Sequence, residues 1–444
     1  MAPKMIFPLS SSAPMVMSMP EAPLDPRSIS TLDVLLNDLK VGTIVRTPGD
    51  FNAFSFEDSY RKTGGFPVLS LSFRAANGGL RKDPKPVARA LPAFFANLLP
   101  EDKLREAMEK HHAGSVRAGN DFDLLAALGS DLPGAVRVVP SEGTVARTQD
   151  LPTARPKARF SLAGVQMKLS VIKNTGKGGG LTIPLGDEQG SYIAKFPSTS
   201  FPGVSENEFA NLALAEAIGM EVPERELVEQ SEFEGIPEEF MTVSDEKVLL
   251  VKRFDRGAEG QRIHIEDFAQ VFGIYPSRKY EGAAYHDIAA ALGIAVSSAA
   301  ALEFVRRLAL AAVTGNGDMH LKNWSLIYRG KGDRPALAPV YDVLSTVPYL
   351  PADAMALSLA GERPFKAMNA QRWKVFANRA RLPEAAVLKA VTDTVERVNQ
   401  FWWRLPERAV IPEKVLERID VHIKLMTPIL GTTRSNAGYD SVKR

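Results

Sequence analysis

Apolar residues in the first third of the chain recur at spacings that predict a small α+β unit. The leucines and the valine between positions 32 and 39 lie close to helical spacing and predict a helix that begins near Ser30. Residues 41–56 predict a strand, a turn and a second strand, because a Pro-Gly turn precedes an alternating segment. Further strands are predicted at 67–73 and 135–139, and helices at 93–99 and 121–128.

The remainder of the chain changes from strand patterns to helix patterns. Residues 141–158 are rich in Pro, Thr, Arg and Ala and predict a linker. An amphipathic helix is predicted at 207–219, with Ser205 and Glu208 at the spacing of a capping box. Strands are predicted around that helix at 160–171, 181–185, 191–196 and 248–254. Beyond them we predict helices at 299–314, 383–401 and 412–430 and short strands at 324–328 and 337–340.

These patterns divide the chain into five parts and predict an α+β fold class. The strand at 248–254 would be the hinge between a β-rich lobe and a helical lobe. The predicted parts are a disordered leader at 1–29, an α+β module at 30–145, the β-rich lobe at 159–255, the helical lobe at 256–430 and a tail at 431–444.

Composition narrows the chemistry that is open to this chain. The 444 residues carry 54 Lys and Arg against 52 Asp and Glu, and they include no Cys. The missing Cys excludes a thiolate nucleophile, a disulfide and a Cys-ligated metal site. A net charge of +2 is too small to favour direct nucleic-acid binding through the bulk field. Since no apolar run has the length of a transmembrane helix, we predict no membrane contact and a cytoplasmic location.

A polar segment lies between the predicted helix at 299–314 and the predicted strand at 324–328. It contains Asp318 and Asn323 in the spacing D-x-x-x-x-N. In phosphotransferases such an Asp accepts the proton of the attacking hydroxyl, and such an Asn binds Mg²⁺. Both are hard oxygen groups, which suit the concentrated charge of Mg²⁺. The spacing also arises by chance in a chain of this length, so it needs support from other residues.

Two charged residues lie in otherwise apolar strand segments. Asp342 follows the predicted strand at 337–340, where its carboxylate needs a metal or a partner to offset desolvation. A helix N-cap or a buried salt bridge would explain Asp342 equally well. Lys195 is the single lysine of the strand at 191–196 and could reach phosphates, with Glu208 on the next helix to orient it. The alternative for Lys195 is an edge-strand side chain that extends into solvent.

The glycine and histidine signals are weaker. The glycines at 176–180 do not form a G-x-x-x-x-G-K-[ST] loop and predict a hairpin turn. Residues 160–168 predict a turn of small residues where a phosphate-covering loop is expected, and Ser161 in this turn could itself accept a phosphate. His320 is expected to orient the polar segment, whereas the other histidines lack the spacing of metal ligands.

In chain order, these motifs resemble the HipA-type serine/threonine kinases, the toxin half of bacterial toxin–antitoxin pairs. The resemblance extends from about residue 41 to residue 430 and includes segments 94–100 and 120–125 of the front module. It implies a bilobal protein-kinase-like fold with a small α+β N-terminal module and an α-rich C-terminal lobe. The motifs that carry it are residues 161–168, Lys195, Glu208, residues 251–256, residues 318–323 and Tyr341-Asp342.

The resemblance implies roles for individual residues. Asp318 would be the catalytic base, Asn323 and Asp342 would bind Mg²⁺, and Glu208 would orient Lys195. Ser161 would be an autophosphorylation site that switches the kinase off. The residues expected to contact ATP are Ala163, Gly164, Val165, Gln166, Lys168, Lys195, Val251, Lys252, Arg253, Phe254, His320, Lys322, Asn323, Tyr341 and Asp342.

Three functional hypotheses follow. The first is a Mg²⁺- and ATP-dependent protein kinase toxin that arrests growth, with a protein target such as an aminoacyl-tRNA synthetase. By resemblance its partner would be a HipB-like helix-turn-helix antitoxin in a 2:2 assembly, and DNA would be contacted mainly through that antitoxin. The second hypothesis is a catalytically weak kinase fold that acts with the antitoxin as a corepressor on operator DNA. The third is a kinase of a small molecule or lipid.

Overall fold

The strands of the protein form three sheets that follow one another along the chain. The computed structural model describes residues 29–141, 166–173, 181–182, 190–234, 246–330, 334–352 and 354–431. Within these ranges each sheet is built from one continuous portion of the sequence. The residue limits that we derived from the sequence for the leader, the module, the two lobes and the tail stay predictions.

The first sheet belongs to the N-terminal module. Its antiparallel strands lie in the order β4-β3-β2-β1-β5. Phe54, Phe73 and Phe95 pack against one another in the core of this module, with ring centroids 4.8 to 6.4 Å apart. The module contains β1 Thr31–Leu36, β2 Leu39–Thr47, β3 Phe51–Phe56, β4 Val87–Ala88 and β5 Val136–Pro140, with α1 Asp58–Lys62, α2 Ala93–Ala96, α3 Asp102–His111 and α4 Asp121–Leu128.

The helix predicted near Ser30 is wrong, because this segment is strand β1. Its buried residues are Leu32, Val34 and Leu36, which alternate with partly exposed ones as a half-buried strand requires. Strand β1 is paired on both sides, with β2 and with β5. The leucine at position 35 made the sequence pattern look helical, although its side chain lies on the other face of the sheet.

The strand predicted at 67–73 is also wrong. Only a 3₁₀ turn, Leu71–Phe73, forms there. The backbone amide of Leu71 and the hydroxyl of Ser70 donate to the carboxylate of Glu266 in another part of the chain, instead of pairing with a strand. The helix predicted at 93–99 is present but shorter, and the helix at 121–128 is confirmed as α4.

The second sheet forms the β-rich lobe, in the order β10-β7-β6-β8-β11-β9. One helix, α5 Val204–Ala217, follows its third strand. Here the expected Ser205 cap is wrong: the N-cap is Gly203, whose φ of +70° and close approach to Pro412 leave no room for a side chain. The strands are β6 Lys168–Lys173, β7 Leu181–Thr182, β8 Tyr192–Lys195, β9 Arg225–Val228, β10 Phe233–Glu234 and β11 Val248–Lys252.

The helical lobe contains the third sheet, in the order β12-β13-β14, with α6 packed on β12 and α8 on β14. The three long helices predicted from the sequence are confirmed as α8, α10 and α11, whereas α7 and α9 were not predicted. Helices α7, α10 and α11 pack against α8, which is buried along most of its length. None of the described helices is long and apolar enough to cross a membrane. The elements are β12 His264–Asp267, β13 Ser325–Tyr328, β14 Ala336–Leu337, α6 Phe268–Phe272, α7 Tyr285–Ala295, α8 Ser298–Thr314, α9 Ala370–Arg379, α10 Glu384–Phe401 and α11 Glu413–Gly431.

The N-terminal module is joined to both lobes by polar contacts. The Oδ1 atom of Asp131 accepts hydrogen bonds from Arg253 and Arg256, each at 2.9 Å, directly after strand β11, which is part of the predicted hinge. Near the helical lobe, Ser70 Oγ donates to Glu266 Oε2 at 2.7 Å. Helix α3 packs its apolar residues on the sheet of the β-rich lobe. The module therefore lies against the cleft between the two lobes, where the candidate site is found.

Candidate active site

Two lysines on neighbouring strands meet one aspartate. Lys168 on β6 and Lys195 on β8 are direct cross-strand partners, so their side chains lie on the same face of the sheet. The ammonium group of Lys195 contacts the carboxylates of both Glu208 and Asp342. Lys168 Nζ lies 2.8 Å from Asp342 Oδ1. The structure thus brings together Lys195, Glu208 and Asp342, which the sequence separates by up to 147 positions.

This cluster of two lysines and two carboxylates carries balanced formal charge. Burial acts against the charged form of Lys195, but Asp342 and Glu208 outweigh it and raise the pKa of this lysine. Burial likewise opposes the charged form of Asp342, yet Lys168 and Lys195 together hold its pKa well below the usual range. Burial raises the pKa of Glu208. Lys195 is only 6% exposed, whereas the Asp342 side chain is 22% exposed and reaches the cleft.

The backbone at Asp342 is strained and firmly held. Its φ of +53° lies in the left-handed region, which costs a non-glycine residue about 1 kcal/mol. The preceding Tyr341 donates its hydroxyl to the carbonyl of Lys322 at 2.9 Å and shares a hydrogen bond with Ser325 at 2.5 Å. The segment after strand β14 is thereby tied to the loop that contains Asp318, which fixes the position of Asp342.

The loop Asp318–Asn323 follows helix α8 and is held by its own polar side chains. Helix α8 ends at Gly315, with φ +76°, where a Cβ would collide with Val347. Asn316 Oδ1 then accepts a hydrogen bond from the amide of Asp318 at 3.0 Å. Asn323 Nδ2 donates to the carbonyl of Asp318 at 2.7 Å. The D-x-x-x-x-N spacing therefore closes a compact loop in which Asn323 supports Asp318.

The carboxylate of Asp318 points into the cleft beside Tyr280 and His320. The Tyr280 hydroxyl donates to Asp318 Oδ1 at 2.6 Å, and its ring packs edge-on against His320, with centroids 5.0 Å apart. Burial lowers the pKa of His320 to about 4, so its imidazole is neutral at physiological pH. Sequence reasoning missed Tyr280, because it precedes Asp318 by 38 positions and lies in no local motif.

The residues of the predicted hinge do not all face the cleft. Phe254 lines it and packs on Tyr341 at 5.6 Å, whereas Val251 is buried within β11. Lys252 pairs with Glu224 at 2.8 Å on the outer surface. Arg253 is buried in contacts with Asp131 and Asp255, so its side chain belongs to the joint with the N-terminal module.

The remaining predicted contact residues divide into three groups. Gln166 and His320 line the cleft together with Lys168, Asn323 and the Tyr341-Asp342 pair. Lys322 also reaches the cleft, but its ammonium group lies 2.5 Å from Glu101 of the N-terminal module. Ser161, Ala163, Gly164 and Val165 lie outside the described residues.

The oxygen atoms and ammonium groups that line the cleft fit a magnesium nucleotide. Because the amide nitrogen of Asn323 donates to Asp318, its amide oxygen is the atom left for a cation. Asp342 is ionised, and together these two oxygen donors are the kind that Mg²⁺ takes alongside phosphates. Lys168 and Lys195 would then face the phosphate charge. The cleft has a volume of about 1590 Å³, which is ample for a nucleotide.

Two domain families match the chain, one over the N-terminal module and one over the two lobes. The HipA N-terminal domain matches residues 32–139, and the HipA-like C-terminal domain matches residues 160–402. The chain belongs to the HipA family. The second match covers the strand lysines, the Asp318–Asn323 loop and Asp342, so the whole candidate site lies within the HipA-like C-terminal domain.

Named relatives agree with this family. Y4dM of Sinorhizobium fredii, provisionally named a kinase, is 43% identical over 89% of this chain and 96% of its own. The serine/threonine-protein kinase toxin HipA of Shewanella oneidensis is 27% identical over 83% of this chain and 88% of its own. These relatives support kinase activity at the level of the family.

A solved structure confirms the predicted fold. HipA of Shewanella oneidensis, determined in complex with HipB and operator DNA, superposes with a TM-score of 0.68. The match covers 90% of this chain and 96% of that chain, at 23% sequence identity. The α+β, bilobal, kinase-like architecture with a small N-terminal module is therefore the HipA fold.

Proposed function

We propose that this protein is a Mg²⁺- and ATP-dependent serine/threonine protein kinase and the toxin of a toxin–antitoxin pair. The convergence of Lys195, Glu208 and Asp342 beside the Asp318–Asn323 loop carries the proposal. A buried lysine that is oriented by a helix glutamate, with a metal-binding aspartate and an Asp–Asn loop, is the set of groups that phosphoryl transfer needs.

Each group has a role that follows from its surroundings. Asp342 and Asn323 would hold Mg²⁺, and the lysines at 168 and 195 would bind phosphate oxygens. The bound Mg²⁺ nucleotide supplies the phosphoryl group and the charge neutralisation for its transfer. Asp318 would accept the proton of the substrate hydroxyl at its carboxylate, which faces the cleft and is oriented by Tyr280.

Regulation and partners extend the proposal. Ser161 is proposed as an autophosphorylation site, because its segment resembles the one that carries the autophosphorylated serine of the family. A phosphoserine adds almost two negative charges, which would seek arginine or lysine partners. A HipB-like helix-turn-helix antitoxin in a 2:2 assembly is the proposed partner, and operator DNA would be reached mainly through it. The complex formed by the Shewanella oneidensis relative supports this partner.

Phosphate transfer by the purified protein tests the proposal. We expect Mg²⁺-dependent labelling of the chain from γ-labelled ATP, with Ser161 as the modified residue. Asp318→Asn should reduce the rate at least about a hundredfold, because it removes the proton acceptor. Asp393→Asn, on the exposed face of α10, is a matched control that should leave the rate unchanged. Equal labelling in wild type and Asp318→Asn would overturn the assignment of the base.

A growth assay separates the kinase from the corepressor alternative. If Asp318→Asn abolishes both labelling and growth arrest while it still binds the antitoxin, kinase activity is the toxic function. If growth arrest requires the antitoxin and persists in Asp318→Asn, a corepressor role explains the protein better. Comparison of phosphoproteins from cells that express wild type or Asp318→Asn would identify the substrate, with aminoacyl-tRNA synthetases as the first candidates.

A further inference from the structure

One carboxylate of the N-terminal module reaches the catalytic loop of the helical lobe. Glu101 directly precedes helix α3, and its Oε1 lies 2.5 Å from Lys322 Nζ. Its other oxygen, Oε2, lies 2.9 Å from Lys279 Nζ. Lys322 also donates to the carbonyl of Asn97, 3.0 Å away in the same module. The module therefore binds the catalytic loop at the residue next to Asn323.

Glu101, Lys279 and Lys322 form a charged triad, in which the two lysines keep the carboxylate of Glu101 ionised. Burial favours the neutral form of Glu101, but Lys322 and Lys279 outweigh burial and lower the pKa of this carboxylate to about 2. The lysine side chains are each 16% exposed and Glu101 is 23% exposed. A pair shielded to this extent is less screened than a surface ion pair, and one carboxylate shared by two lysines forms a small network.

The backbone of each lysine is hydrogen-bonded to a segment that carries a residue of the candidate site. The carbonyl of Lys279 accepts a hydrogen bond from the amide of Leu321 at 3.2 Å, inside the catalytic loop. The residue after Lys279 is Tyr280, which donates to the carboxylate of Asp318. The carbonyl of Lys322 accepts from Tyr341, which precedes Asp342. Glu101 thus holds the two segments that fix the positions of Asp318 and Asp342.

We propose that Glu101 is a positioning residue, through which the N-terminal module holds the catalytic loop in its working geometry. This inference rests on the proposed kinase function. It has a second consequence, since Lys322 is engaged by Glu101 and is not available to the nucleotide while the module is docked. A displacement of the module at α3 would release Lys322 and Lys279 together and would lower the activity of the kinase.

The experiment compares two glutamates of the same module in the full-length chain. Glu101→Gln removes the charge that binds both lysines but keeps the shape of the side chain. The matched control is Glu109→Gln on α3, which removes an ion pair with Arg105 away from the loop. We expect Glu101→Gln to lower kcat about tenfold with a change in the KM for ATP of less than about threefold, because the loop is misplaced rather than the nucleotide site removed. Glu109→Gln should stay close to wild type.

Hydrogen exchange supplies a readout that does not depend on activity. Without nucleotide, the amides of Leu321 and Asn323 should exchange about tenfold faster in Glu101→Gln than in wild type or Glu109→Gln. Unchanged exchange at both amides in a folded Glu101→Gln protein would overturn the inference. If wild type transfers no phosphate, the proposed function fails while the exchange result still decides whether Glu101 holds the loop.

A double variant distinguishes an action through Lys322 from general destabilisation. In the Lys322→Met background one of the two partners of Glu101 is already missing, so Glu101→Gln should accelerate loop exchange much less than in wild type. The residual effect would report the second contact, with Lys279. Full additivity of Glu101→Gln and Lys322→Met would contradict the proposal, because independent effects would mean that the ion pair does not transmit the restraint.

Discussion

The two aspartates of the cleft lie in opposite surroundings. Asp342 is bound by the ammonium groups of Lys168 and Lys195, and its pKa is held well below the usual range. Asp318 receives a neutral hydrogen bond from Tyr280 and lies beside His320, which burial keeps uncharged. One carboxylate is therefore paired with two ammonium groups, whereas the other accepts a hydrogen bond from a neutral phenol.

This difference matches two chemical tasks. A carboxylate that stays ionised at every physiological pH can bind a cation, and its lysines can turn to phosphate oxygens when that cation takes their place. A carboxylate that faces the cleft and holds no ammonium group can approach a substrate hydroxyl directly and accept its proton. Enzymes with two acidic groups commonly divide their roles by environment in this way.

Substitution of Asp342 should cause the largest loss of stability, because it removes the carboxylate that the two lysines bind. Asp342→Asn leaves Lys168 and Lys195 with only Glu208 to balance them, and Lys195 is buried. We expect the free energy of unfolding to fall by about 3 kcal/mol, together with loss of phosphate transfer. Asparagine tolerates the left-handed backbone at this position, so strain would not be the cause.

Denaturant unfolding of Asp342→Asn and Asp318→Asn side by side measures this difference. Asp318→Asn should also lose activity but should keep its stability within about 0.5 kcal/mol, because it breaks no ion pair. If both variants were equally stable, the lysine cluster would contribute nothing to folding, and our account of Asp342 would be wrong.

Most of the residues that the sequence singled out for the site lie around one cleft in the structure, whereas two elements of the module in front of it were predicted wrongly. Asp342 and Lys195 could be singled out because each is a charged residue in an apolar segment, and burial of charge requires a purpose or a partner. Asp318 and Asn323 could be singled out by their D-x-x-x-x-N spacing in a polar segment between two predicted elements. Strand β1 was predicted as a helix, because Leu35, on the face opposite the buried residues, adds an apolar residue that does not fit the strand period.

Long-range contacts explain what the sequence could not predict. Tyr280 and Glu101 act on the catalytic loop from positions far away along the chain, and neither lies in a local motif. Ser205 has the spacing of a helix cap, but the structure uses its hydroxyl to bind the carbonyl of Lys195. In each case the partner is supplied by tertiary packing, which a pattern in one segment does not specify.

A fall in pH should lower the stability contributed by the surroundings of Asp318 before it affects the lysine cluster around Asp342. His320 has a folded pKa of about 4, below its unfolded value of about 6.5, so the unfolded state binds more protons between these limits. Its contribution to stability is therefore complete above pH 6.5 and is lost as the pH falls towards 4. Between pH 7 and pH 5 we expect a loss of about 2 kcal/mol from this residue.

The pH dependence of His320→Gln relative to wild type isolates that contribution. Burial raises the pKa of Glu266 to about 7 and of Asp267 to about 6, so these two groups increase stability as the pH falls. Both proteins contain them, so their effect cancels when the stability of His320→Gln is subtracted from that of wild type. The stability gap between the two proteins should narrow by about 2 kcal/mol from pH 7 to pH 5. A constant gap would mean that His320 is not kept neutral by burial.

Removal of the Tyr280 hydroxyl is the smallest change and tests the neutral donor itself. Tyr280→Phe keeps the ring against His320 but deletes the hydrogen bond to Asp318, so the carboxylate should lose its fixed orientation. We expect a fall in kcat of about tenfold, the value of one hydrogen bond to a charged group, with little change in stability because this residue is 39% exposed. Tyr275→Phe, at the N-cap of the 3₁₀ turn Pro276–Arg278 just before Tyr280, is the control. A faster Tyr280→Phe enzyme would instead mean that the phenol occupies the place of the substrate hydroxyl and must leave before phosphate transfer.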